Sequence, residues 1–156
     1  PRGPQGNRDA AGHASASRVT VKAEYALITP EEKRLLCNGV GPQNLHGLCR
    51  LIPQVVFAEA ANRHDWDYTV GGGAAEYARA NLRFYAGCLF AVADQSPLWK
   101  WPGHLCLAHL YYVLVKVGGG LAFNWGTVRT HEEMQRLAVA LAVLEVEEAL
   151  DKEKVP

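Results

Sequence analysis

Two glycine triplets, Gly71-Gly72-Gly73 and Gly118-Gly119-Gly120, with Pro97 between them, divide the chain from Gln54 onward into segments of helical length. Glycine weakens a helix through its backbone freedom, and proline lacks the N–H that the helical ladder needs. The segments so marked are helices over about Gln54 to Tyr68, Ala74 to Asp94 and Gly103 to Val117. A last helix opens at Thr130-His131-Glu132-Glu133, a capping box, and continues through an apolar stripe of Met134, Leu137, Leu141 and Leu144. Upstream, Thr29-Pro30-Glu31-Glu32 starts a short helix, with proline in its first turn and acids at the positive dipole end. Asn38-Gly39-Val40-Gly41-Pro42 breaks it, and irregular chain runs to about Pro53. Before that, Val19, Val21, Ala23, Tyr25 and Leu27 alternate with Thr20, Lys22 and Glu24, the period of a half-buried strand. The expected fold is mainly α, with two long antiparallel helices, one early strand and extra C-terminal helices.

Residues 1–17 hold Gly, Pro, Ala, Ser, Asn and charge without an apolar period, an extended polar tail ahead of a domain over 18–156. The 156 residues balance 16 Lys+Arg against 16 Asp+Glu, which leaves no electrostatic footprint for nucleic acid. The uncharged run Trp101 to Val115 carries His104 and His109 and ends at Lys116, which reads as too short and too polar to be transmembrane. Cys37, Cys49, Cys88 and Cys106 form no C-x-x-C pair, and His104, Cys106 and His109 have no second cluster to complete a zinc site. Trp99, Trp101 and Trp125 near helix ends suit the edge of a core, or contact with lipid.

At about 100° per residue, Phe57, Ala60, Ala61, His64 and Tyr68 share one face of the first long helix, with His64 in its middle and Asp65 at its edge. On the second, Tyr77, Phe84, Tyr85, Cys88 and Val92 form a stripe centred on Asn81. Each helix thus turns one polar group inward. An unpartnered buried polar group costs about 1–3 kcal/mol, so the economical packing is antiparallel with Asn81 against His64. The plainest account of such a histidine is a core side chain satisfied by Asn81 or a carbonyl. The adjacent Asp65 and the glycine-rich loop upstream are further features to be explained.

Asn38-Gly39-Val40-Gly41-Pro42, then His64-Asp65-x-x-Tyr68, then Ala80-Asn81-x-x-Phe84 together resemble the phospholipase A2 superfamily, most closely its small bacterial and viral members. The likeness spans about Leu36 to Cys88. It implies a calcium-dependent hydrolase cleaving the sn-2 ester of glycerophospholipids. His64 would be the general base. Asp65 and the carbonyls of Cys37, Gly39 and Gly41 would be the calcium ligands, oxygen donors of the kind that ion prefers. Tyr68 would hydrogen-bond the group that orients the histidine.

One position departs from the family pattern: the orienting aspartate is Asn81. An amide can accept a hydrogen bond from the imidazole, expected here through Nδ1, but brings no charge to stabilise an imidazolium. Asp67 and Glu76 turn away on the wheel and do not replace it. The family's cysteine ahead of His-Asp is also absent. Two functions follow: a calcium-dependent phospholipid esterase weakened at Asn81, or a catalytically degenerate domain serving as a structural or interaction subunit of a larger assembly. The corresponding partners are a phospholipid surface or proteins of that assembly.

Overall fold

In the computed structural model the described residues are 23–37 and 54–153. Among them the fold is mainly α, with five α-helices: α1 (Pro30–Leu36), α2 (Gln54–Val70), α3 (Ala74–Gln95), α4 (Trp101–Gly118) and α5 (His131–Glu153). Both threonine starts form as the sequence predicts. Thr29 Oγ1 accepts from Glu32 N–H at 3.2 Å while the Glu32 carboxylate accepts from Thr29 N–H at 2.8 Å. Thr130 and Glu133 repeat the arrangement at 3.2 and 2.7 Å. The helix limits fall within about three residues of those the breakers mark.

The early strand is not found where it can be checked. Val19–Lys22 lie outside the described residues, as do the 1–17 tail and the 38–53 loop. Ala23 is buried, but Tyr25–Leu27 form a 3-10 turn closed by Leu27 N–H to the Glu24 carbonyl at 3.1 Å. No strand lies beside this segment among the described residues, so its alternation has nothing to pair with and the local turn wins.

α2 and α3 are antiparallel neighbours: Tyr68 and His64 meet Asn81, while further along Ala60 faces Gly87. Three apolar clusters surround α2. Trp66 and Val70 pack with Leu35, Leu36, Met134 and Ala138 of α1 and α5. Phe57 packs with Phe84, Cys88 and Val92 of α3 and with Ala108 and Tyr111 of α4. Tyr68 packs with Ala80 and Phe123. Within the predicted α5 stripe Met134, Leu137 and Leu141 face this core, but Leu144 is exposed, at the level where α5 meets α1 through the Glu145–Arg34 ion pair and not through apolar side chains.

The α4–α5 connection is laced to the end of α2. Asn124 N–H donates to the Tyr68 carbonyl at 3.1 Å, Gly72 N–H to the Asn124 carbonyl at 3.0 Å, and Arg129 N–H to the Val70 carbonyl at 2.8 Å. Two glycines make this possible. Gly71 has φ +78°, and a Cβ there would run into the Asn124 carbonyl. Gly119 has an ordinary helical backbone, but the Tyr68 hydroxyl occupies the place its Cβ would take. Gly119→Ala should therefore lower stability by about 1–3 kcal/mol by displacing Tyr68. Gly103→Ala, in open space within α4, should be neutral or stabilise by up to about 1 kcal/mol. Urea unfolding of the two variants checks this contrast.

Candidate functional site

His64 and Asn81 are the two buried polar residues of the described core, 7% and 2% exposed. His64 Nε2 lies 3.0 Å from Asn81 Oδ1, and the Tyr68 hydroxyl donates to the same oxygen at 2.7 Å. With the amide oxygen accepting from both, the imidazole carries its proton on Nε2. The expectation that Nδ1 would face position 81 is corrected: Nε2 does, because ring orientation is set by the side-chain torsions and not by helical spacing. Nδ1 is the nitrogen Asn81 does not engage.

The aromatic surroundings hold this arrangement. The His64 ring lies 4.0 Å from the Tyr68 ring and 4.8 Å from the Phe84 ring, centroid to centroid. Tyr68 also reaches the Val115 carbonyl at 3.3 Å, and Tyr77 donates to the carbonyls of Val115 and Lys116 at 3.0 and 2.9 Å. The last turn of α4 thereby anchors both phenols. Burial lowers the His64 pKa below its usual value, opposed by the Asn81 hydrogen bond and by the charge of Asp67. Burial also raises that of Tyr68, which stays a neutral donor. Asp67 pairs with Arg83 at 2.7 Å and Glu76 pairs with Arg79, so neither acid substitutes at the Asn81 position.

His64 also lines a groove of about 630 Å³ between α2 and α3. Its walls include Val56, Ala60, Phe84 and Phe90, and Glu59, Arg63, Asp67 and Arg83 supply charge of both signs. Arg63 and Phe90 escaped the wheel argument: Arg63 is adjacent to His64 but off its face, and Phe90, on the outer flank of α3, is mostly exposed.

Of the calcium ligands implied by the resemblance, Gly39 and Gly41 lie outside the described residues. Cys37 is buried at the end of α1, and its thiol is pushed up to about 12 by burial and then by the negative charge of Asp65. Asp65 is thus near enough to Cys37 to act on it electrostatically. Among the described residues no three His, Cys, Asp or Glu side chains gather as metal ligands. The region around His104, Cys106 and His109 follows suit, with His104 Nδ1 and Ser96 Oγ paired at 2.7 Å.

No family model, curated protein or solved structure matches the chain.

The depressed His64 pKa sets a pH dependence. A histidine that resists protonation in the fold leaves the unfolded chain binding more protons as pH falls from about 6.5. Its contribution is present above that pH and lost as pH falls through the lower folded pKa. Between pH 7.5 and 5.5 the wild type should lose stability, and His64→Gln should lose less. Denaturant unfolding across that range reads the difference.

Proposed function

We propose that this chain is a phospholipase A2-like domain, hydrolysing the sn-2 ester of glycerophospholipids, with turnover limited by Asn81. The observation that carries this reading is His64 lining a groove while its Nε2 is held by the Asn81 oxygen to which the Tyr68 hydroxyl also donates. An acyl chain suits the Val56, Ala60 and Phe90 wall. His64 Nδ1 would take a proton from water as the water oxygen bonds to the ester carbonyl carbon. On collapse of the tetrahedral adduct the imidazolium would return that proton to the departing lysophospholipid oxygen. Calcium, held by Asp65 with the carbonyls of Cys37, Gly39 and Gly41, would supply polarisation of the ester carbonyl and charge for its developing oxyanion.

Asn81 weakens this chemistry. A base must be stabilised as it gains a proton. The amide orients His64 but adds no countercharge, and the same aspartate-to-asparagine change in a serine protease triad costs about 10⁴-fold. Asn81 Nδ2 is buried with no hydrogen-bond partner among the described residues. That orphan donor favours a second reading, a catalytically degenerate domain retained as a subunit of a larger assembly.

Fatty-acid release from phospholipid vesicles separates the two. Wild type should show little calcium-dependent release, and Asn81→Asp should raise it at least about tenfold, a small part of the protease factor. His64→Gln in that background should remove the gain. In calorimetry Asp65→Asn should abolish calcium binding. Calcium binding without turnover in either protein leaves the assembly role standing, and unchanged calcium affinity in Asp65→Asn places the ion elsewhere.

A further inference from the structure

The helical run through α4 leaves many of its apolar side chains exposed. Leu98–Leu121 is 24 residues, long and apolar enough by length and composition to cross a membrane, with an 18-residue stretch of mean hydropathy 1.2 of which only 6% is buried. That length exceeds the run between Trp101 and Val115 on which the sequence argument relied. Its inner side, with Ala108 and Tyr111, packs on α2 and α3. Its outer side presents Leu105, Leu110, Val113, Leu114, Val117 and Leu121, the last two 82% and 99% exposed. An apolar band about 36 Å long is larger than soluble monomers leave bare.

Charge identifies the occupant. Between Asp94 and Glu132 the chain has no acidic residue, and its charged side chains are Lys100, Lys116 and Arg129. Trp99 and Trp125, 77% and 50% exposed, flank the helix at its two ends. The Lys100 ammonium lies over the Trp99 ring at 4.8 Å, and that of Lys116 over Tyr112 at 5.8 Å. Tryptophans at the ends of an apolar helix, with lysines reaching outward, match a bilayer interface, and the lack of acids matches an anionic one. α4 packs along α3, which carries Glu76, Arg79, Arg83 and Asp94. Crossing the bilayer would draw those charges into hydrocarbon, so the helix suits lying in the interface.

We propose that the outer face of α4 docks this protein on an anionic lipid surface. The face is separate from the groove, whose lining includes no residue of α4. The docking does not depend on catalysis.

Flotation with vesicles of ether-linked lipids in EDTA tests docking with no ester to cleave and no calcium. The full chain should bind phosphatidylglycerol-containing vesicles and bind phosphatidylcholine vesicles at least about tenfold more weakly, with a blue shift in tryptophan emission. Leu110→Glu with Val117→Glu should reduce binding at least tenfold, its fold checked by circular dichroism. Lys100→Glu with Lys116→Glu, which leaves the apolar face whole, should weaken anionic-vesicle binding and salt dependence together. Absent binding, or binding that survives both pairs, overturns the proposal. So does a dimer that Leu110→Glu with Val117→Glu dissociates in a chain that ignores vesicles, for the face would then belong to a second copy.

Discussion

The Asn81 amide oxygen is the point on which the arrangement around it depends. It accepts hydrogen bonds from His64 and Tyr68 in a buried setting, where an unmade hydrogen bond costs far more than a made one contributes. This couples α2 and α3 at one position, and the flanking contacts follow from it: Ala60 against Gly87 further along, and the Asp67–Arg83 pair nearby. Antiparallel packing of two apolar stripes would tolerate a shift of one turn. A buried three-member polar cluster does not, since a slip would strand the imidazole and the phenol together.

Tyr68 extends that constraint beyond the two helices. Its hydroxyl reaches α4 at the Val115 carbonyl and sits where Gly119 lacks a side chain, and its backbone carbonyl accepts from Asn124. The second glycine triplet therefore serves two purposes. It stops α4, and it admits the phenol at the point where α4 gives way to the connection laced over the end of α2. The same residue that completes the polar cluster around His64 decides where the last third of the fold attaches.

Much of this was legible from residue spacing, because spacing determines which side chains share a helix face. His64 against Asn81, with Tyr68 on the same group, follows from helical angles plus the cost of burying lone polar atoms. The Thr29 and Thr130 caps follow from local chemistry within four residues. What depends on distant partners was not legible. Ala23 and Tyr25 alternate like strand residues, but a strand needs a neighbour, and that is a property of the whole chain. Leu144 continues a stripe whose core has already ended. Which imidazole nitrogen meets Asn81 depends on ring torsion. The groove beside His64 arises from residues such as Phe90 that lie off the apolar stripe, and the exposure of α4 depends on what packs against it.

The choice of amide over carboxylate at position 81 is the remaining step. A carboxylate there would find two donors waiting, His64 Nε2–H and the Tyr68 hydroxyl, so its hydrogen bonding would be met without rearrangement. Its charge would still have to be buried, and the imidazole is the one partner able to neutralise it. The His64 pKa would then rise, a buried ion pair would replace a neutral cluster, and a fold that now keeps His64 uncharged would be asked to hold the imidazolium. Asparagine avoids that charge but leaves Nδ2 without a partner, so it is not the simple optimum for stability either. A leucine would spare the amide its burial but would orphan the His64 Nε2–H and leave the Tyr68 hydroxyl only the Val115 carbonyl. Asparagine keeps the geometry of an oriented histidine while withholding the charge that would make it a strong base.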